Sequence, residues 1–528
     1  MHRSLAARSL AFALAVATIP GIAATAHAQF LAPATDRPGF EGRPTQPSLR
    51  LAMLGGLSLA IADENNEINL WDYAGSSLGL LGDRDSTSMD IYFDSGSLTD
   101  QHTVGAQDQE LKRAHRGIIG IQAVGRSVGK FAAGLDAGYA SSGTHLPAQD
   151  GIYTDQTHTV PLAIPTVSGM MFGGKMGWGA HLTFANVSSK DQYKLETVKD
   201  GTVELNNGEL ASTPNPFITD HGKTKIGGFG IGVGYEGIKG LQTALNWDRT
   251  TDTVTGSNTN ARRVYEIEEP QPTNEFSFAA VAKPGWGTIG AQVGTGKFKS
   301  KEVYRFTLSG GLNGPPLASR GDMLYRDFKQ DWFRTRVALT PPAVRGLTVA
   351  GDFAVRYDKD VVDPSTAPGN YNDFMASIAG DTLGITKPIV ASTEELRHWS
   401  GGVGIGYQVS PRVLAAIEGH RYQNTHDAEG LHAREVIQEV RGGLEFAAAP
   451  AWTGRLGGYH ISNDTDALTA QNERVSNALT AGVGWAKPRT RYTLDAGIEV
   501  GRRSSNFPDP TNENGSLFRF MLYNRWAF

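Results

Sequence analysis

The sequence predicts an all-β fold, a transmembrane antiparallel β-barrel of about eighteen strands, with sixteen as the alternative count. Three observations lead there. The chain ends in a strand, Ser516–Phe528, whose Phe518, Phe520, Leu522, Trp526 and Phe528 share one parity while Arg519, Tyr523 and Arg525 share the other. From Thr87 onward the chain repeats one unit, two alternating strands joined by a tight turn and followed by a longer polar connection. Beyond the N-terminal leader there is no apolar run of the ~18–20 residues that a spanning helix needs. A soluble domain seldom stops inside a strand with Trp and Phe in its last three residues, whereas a closed barrel must pair its last strand with its first.

Taken in order, Met1–Ala28 has a basic start (Arg3, Arg8), an apolar run from Leu10 to Ile19 and a small-x-small end, Ala26-His27-Ala28, the pattern of a cleaved signal peptide. Residues 29–48 carry Pro33, Pro38, Pro44 and Pro47 among polar residues and Gly, an extended linker. Residues 49–84 lack clean alternation over a lipid-spanning length and therefore precede the barrel wall, as a plug in the lumen or as a periplasmic segment. Their apolar run, Leu51–Ala62, would reach only about 18 Å as a helix at ~1.5 Å per residue. The barrel itself is expected over residues 85–528.

Tight turns are expected at Ser127–Lys130, Gly177–Trp178, Glu236–Gly240, Lys283–Gly287, Pro341–Gly346, Ser410–Arg412, Ala449–Ala451 and Lys487–Thr490, where Pro and Gly recur for their fixed or positive φ. Longer loops are expected at Ser141–Thr166, Ser189–His221, Phe306–Gln330 and Asp358–Glu394. A first strand near Ser88–Gly96 would pair with the closing strand, and the strands between run to a dozen residues, near the ~9–11 that cross a bilayer at a tilt. Alternating short turns and long loops distinguishes such a barrel from a soluble sandwich, whose strands are short and bury their apolar face inside.

Within Leu347–Asp358, Leu347, Val349, Phe353, Val355 and Tyr357 oppose Thr348, Asp352, Arg356 and Asp358. The apolar set is expected to face lipid and the polar set the lumen. On that basis the candidate lumen-lining residues are Arg334, Arg336, Asp352, Arg356, Glu418, Glu435, Glu439, Arg441, Glu445, Arg455, Asp495, Glu499, Arg519 and Arg525. Rings of such charges set solute preference in a water-filled channel; pairing among themselves or with a plug is the structural alternative. Other strands turn Gly inward, as in Gly228, Gly230, Gly232 and Gly234, in Gly402 to Gly406 and in Gly482 with Gly484. A wall of Gly admits another backbone or a ligand at close range, and it also eases strand coiling.

The remaining motifs carry little chemistry. Gly125-Arg126-Ser127-Val128-Gly129 matches a nucleophile elbow but falls in a strand-to-strand turn, not the strand-to-helix turn the motif requires. Gly232–Gly237 spells G-x-G-x-x-G with no helix after it, so no dinucleotide site follows. His420, His426 and His432 straddle a polar loop without metalloprotease spacing, and Asp83, Asp85 and Asp90, or Asp464 and Asp466, complete no calcium loop. No cofactor, metal or catalytic set is therefore expected. The chain has no Cys. Without Arg3 and Arg8 the basic residues fall from 49 to 47 against 54 acidic ones, a balance of −7 that argues against nucleic acid as a partner.

The terminal Phe-ended strand and the hairpin pattern resemble bacterial outer-membrane β-barrel proteins of porin and transporter type. The resemblance implies outer-membrane lipid as surroundings, a barrel assembly machinery that engages the C-terminal strand, and a small solute as cargo. Asp63-Glu64-Asn65-Asn66-Glu67 followed by Ala74-Gly75-Ser76-Ser77-Leu78-Gly79-Leu80 resembles the N-terminal hatch of the FadL-like long-chain fatty acid transporter family, with no Asn-Pro-Ala at the motif. That would imply a hydrophobic solute released through the wall when the plug moves. An outer-membrane enzyme of phospholipase or protease type, and a surface-binding structural barrel, are the other classes compatible with the fold.

Overall fold

The computed structural model describes residues 49–61 and 87–527, apart from 105–106, 128–130, 150–151, 196–202, 206–208, 212–217, 261–262, 310–315, 364–391, 429–430, 468–469, 488–491 and 507–512. Among the described residues eighteen strands form one closed antiparallel sheet. They are β1 (Ser88–Val104), β2 (Gln107–Ser127), β3 (Phe131–Gln149), β4 (Ile152–Met171), β5 (Met176–Leu195), β6 (Ile218–Ile238), β7 (Leu241–Asn260), β8 (Arg263–Ala282) and β9 (Gly287–Ser309), then β10 (Pro316–Leu339), β11 (Leu347–Asp363), β12 (Ser392–Ser410), β13 (Val413–Ala428), β14 (Leu431–Ala449), β15 (Trp452–Ala467), β16 (Ala470–Ala486), β17 (Tyr492–Asn506) and β18 (Glu513–Ala527). Two three-residue strands, Val203–Leu205 and Glu209–Ala211, pair with each other outside the barrel. Each barrel strand pairs with its sequence neighbours, and β1 pairs with β18 from Ser88↔Ala527 to His102↔Glu513. No edge is left unpaired, which is what lipid demands of a sheet.

Side-chain parity sorts the wall. Val403 and Leu479 point outward and are 70% and 73% exposed, whereas Glu418 on the strand next to Val403 and Thr480, the residue after Leu479, point inward at 2% and 3%. Aromatic side chains frame the outward apolar band on both sides. At the turn rim Trp452, Trp485, Tyr492 and Trp526 touch in series across β15 to β18, with ring centroids 5.6–6.2 Å apart. Toward the other rim Phe229, Trp247 and Phe276 do the same across β6 to β8, at 5.2 and 6.2 Å. Such girdles mark the two interfaces of a bilayer.

Several expectations need correction. The strands hold 15 to 24 residues, not a dozen. Ser141–Thr166 and Phe306–Gln330 are not loops: β3 runs to Gln149, β4 starts at Ile152, β11's predecessor β10 starts at Pro316 and β9 ends at Ser309. The polar strand ends stand beyond the apolar band, where nothing enforces hydrophobic alternation. The turn placed at Gly177–Trp178 lies earlier, in a 3-10 turn at Phe172–Gly174, because Gly173 and Gly174 take positive φ of 69° and 89°; Gly177 and Trp178 belong to β5. His420 and His426 sit within β13 and His432 within β14, on either side of residues 429–430. The turns at Glu236–Gly240, Lys283–Gly287, Pro341–Gly346, Ser410–Arg412 and Ala449–Ala451 match the strand ends to within three residues. The leader, the linker, residues 62–86, Val128–Lys130, most of Lys487–Thr490 and Phe528 lie outside the described residues.

Candidate functional site: the occupied lumen

Residues 49–61 lie inside the barrel. Leu49–Met53 form a short helix, α1, which ends because Gly55 and Gly56 adopt φ of 80° and 78° and the Gly56 N–H returns to the Leu51 carbonyl at 2.9 Å. Past that turn the segment runs to Ile61. Leu51, Leu54, Leu57, Ala60 and Ile61 cluster with Ala416 of β13, and Leu49 and Met53 pack on Met521 of β18.

The wall meets this plug with glycine and with polar hooks. An added Cβ at Gly457 would strike the backbone of Leu54 and Gly55, one at Gly443 would meet Leu54, and one at Gly497 would meet Met53. Gly404 and Gly406 stand in the same relation to Ala60. Where the sequence left inward Gly open between coiling and close approach, these positions serve close approach.

The hooks satisfy the plug's backbone, which has few partners of its own. The Glu418 carboxylate accepts from Ser58 N at 2.7 Å, Leu59 N at 2.8 Å and Ala60 N at 3.4 Å. Arg336 donates to the Ser58 carbonyl, and Arg441 donates to the Gly56 carbonyl at 2.6 Å. Thr480 accepts from Gly55 N at 3.1 Å and donates to Met53 O at 2.7 Å. Arg50 on α1 forks onto both oxygens of Glu445, each at 2.8 Å. Glu445 also takes Arg455 at 2.9 Å, and Arg455 continues to Asp495. A plug seated by charged hydrogen bonds to its main chain is fixed in register as well as in place.

The other candidates fall into separate groups. Arg519 grips Asp94 at 2.7 and 2.8 Å and Glu499 at 3.3 Å, which ties β1, β17 and β18 together at the closing seam; Tyr459 donates to Glu499 at 2.6 Å. Arg525 lies 3.6 Å from Asp90 on the same seam. Glu439 pairs with Arg441 at 2.7 Å. Glu435 accepts from Asn424 at 2.7 Å and Asn463 at 2.9 Å. Arg356 pairs with Asp358 at 2.6 Å, and Arg334 donates to Gln292 at 2.6 Å. Asp352 stands 4.0 Å from His420. Sequence reading missed Arg50, Asp90, Asp94, His181, Asp248 and Glu275. Asp248 and Glu275 are directly opposite on β7 and β8, with His181 3.5 Å from Asp248. Inward parity on the expected first strand could have marked Asp90 and Asp94, and the same parity His181, Asp248 and Glu275; nothing local marks Arg50, which lies on α1.

Ser58, His420 and Asp352 line up as hydroxyl, imidazole and carboxylate, with Ser58 Oγ 3.4 Å from His420 Nε2. That is beyond the 2.6–3.2 Å expected of a nucleophile on its base. Glu418 shares the same imidazole nitrogen at 3.2 Å and already holds the Ser58 N–H, so the arrangement docks the plug. Among the described residues no three His, Asp or Glu side chains converge as metal ligands.

A closed antiparallel sheet with an even strand number, an apolar outer band and paired aromatic girdles defines a transmembrane β-barrel of the outer-membrane type. Among solved structures it is similar to the Pseudomonas putida toluene transporter TodX, with 10% identity, 90% of this chain and 97% of that one covered, and a TM-score of 0.35. A FadL homologue of Pseudomonas aeruginosa gives 10% identity, 92% and 99% coverage and a TM-score of 0.34. The ferric yersiniabactin uptake receptor FyuA of Yersinia pestis gives 11% identity, 84% and 80% coverage and a TM-score of 0.44. Overlaps this loose carry no residue role or cargo across. No protein-family model and no curated protein matches the chain.

Proposed function

We propose that the barrel passes a small solute across the outer membrane and that residues 49–61 gate it. The observation that carries this reading is the seating of the plug. Its main chain is held by hydrogen bonds to Glu418, Arg336, Arg441 and Thr480, with no covalent tie to break when the segment leaves. The inward charges are covered in this state: Glu418 and Glu439 are 2% exposed and Arg441 3%. They act here as a cradle and come to line a wet path when the plug leaves, where charges of both signs would sort solutes. No chemical step and no cofactor enter.

Planar-bilayer recording tests this directly. The mature chain should be silent or nearly so, and the same chain without residues 29–61 should conduct in steps. Silence of both forms, or equal conductance of both, overturns the reading.

A further inference from the structure

We propose that the outer wall across β7 to β12 is a binding seat for a phosphorylated, multiply acylated lipid of the outer leaflet. The geometry combines a cationic row with an apolar hollow directly beneath it. The pairing register brings Arg249, Asn274, Lys297, Lys329, Lys359 and Glu395 into one continuous outward row, each directly opposite the next. Lys297, Lys329 and Lys359 thus face one another across three strands. Like charges directly opposite disfavour a sheet unless an anion lies over them.

The neighbouring acids neutralise this row only in part. Lys329 reaches Asp331 at 2.6 Å, while Lys359 shares Glu395 with Arg397, at 3.8 and 3.1 Å. Lys297 and Arg249 have no acidic partner among the described residues, and both are exposed.

One step down each strand the outward row becomes Trp247, Phe276, Thr295, Asp331, Tyr357 and Arg397, and the next is Leu245, Phe278, Val293, Phe333, Val355 and Trp399. These side chains, with Ile231 and Val233, line a hollow of about 1070 Å³. Its size is at the upper end of ligand pockets; fourteen of its twenty-one lining residues have outward parity, with Asn246, Ser277, Trp332, Arg356 and His398 among those of inward parity, and on the outward side the filler available is acyl chain. The row above it stands on the long-connection side of the apolar band, at the height of outer-leaflet head groups. Acyl chains in the hollow and phosphates on the lysines use both features at once, and clustered Lys and Arg beside a membrane favour anionic heads.

Native mass spectrometry of the refolded barrel in neutral detergent tests the seat. The probes are a bis-phosphorylated hexa-acyl glycolipid, its dephosphorylated form and inorganic phosphate. The phosphorylated lipid should bind at least about tenfold more tightly than either of the others, and the combined change Lys297→Gln, Lys329→Gln and Lys359→Gln should remove that advantage. Val293→Trp, which fills the hollow, should weaken the same lipid while leaving its phosphate preference. Lys239→Gln with Lys283→Gln, at the turn rim, should leave binding unchanged. Equal binding of the two lipids, equal binding by the triple variant, or an equal loss in the turn-rim variant overturns the proposal.

Discussion

Glu418 is the strongest of the hooks on the plug, and Glu418→Gln isolates its contribution with little change of shape. The carboxylate accepts two short backbone bonds, from Ser58 and Leu59, along with Ser58 Oγ and His420 Nε2, each at 3.2 Å. An amide turns one of these oxygens into a donor, so at least one backbone N–H faces another donor. Hydrogen bonds to a charged group contribute roughly 1.5–3 kcal/mol each, so the loss of one and the weakening of its neighbour come to about 3 kcal/mol. That raises the population of undocked plug by about a hundredfold. The chain has no Cys, so a single reporter is clean. Leu57 is 1% exposed when docked, and Leu57→Cys can react with a water-soluble maleimide only when the plug leaves. When redocking is fast, the labelling rate follows the open population. The double variant Leu57→Cys/Glu418→Gln should label about a hundredfold faster than Leu57→Cys alone, and rates within about threefold of each other would refute the assignment of Glu418 as a docking hook.

The remaining predictions concern the saddle, the tether and the seam. Gly457→Val places a side chain against the backbone of Leu54 and Gly55 and should displace the plug at a cost of about 1–3 kcal/mol, read as step conductance in bilayers, whereas Gly227→Val, with open space around its Cβ, should be silent. Arg50→Ala removes the fork on Glu445 and should free the helix end of the plug while Arg455 still holds Glu445; labelling of Ala52→Cys should rise more than labelling of Leu57→Cys. Arg519→Met leaves Asp94 and Glu499 buried without their cation and should destabilise the barrel by about 3–5 kcal/mol, measured as the temperature at which the folded band is lost on semi-native gels. Combining it with Asp94→Leu and Glu499→Leu should recover most of that loss.

The architecture was legible wherever a residue had to satisfy lipid. Outward Phe518, Phe520 and Leu522 against inward Arg519 required a closed sheet, because a half-turn of the strand would place Arg519 in lipid. Turns rich in Pro and Gly, such as Pro341–Gly346, marked one rim. Where lipid stops, the signal stops: Ser141–Gln149 and Pro316–Gln330 are strands with no apolar face to announce them. Residues 49–84 read as a plug or a periplasmic segment, but the conformation of residues 49–61 was illegible for a different reason. Residues 49–61 have one local turn and no periodicity, and their conformation is dictated by Glu418, Glu445 and Thr480 on strands far away in the chain. Parity could place those three side chains inside, but not name what they hold.

The partners of the plug lie late in the chain: Glu418, Glu445 and Thr480 reach it across 360, 395 and 427 residues. The segment is therefore made before any part of its seat. Its backbone donors to the wall wait for β13 and β16, and Arg519 joins β18 to β1 only at the final closure. Docking and closure become one late event with a large loop to gather. Until then the wall that covers Leu51, Leu54 and Leu57 does not exist, so a segment near the start of the chain docks among the last.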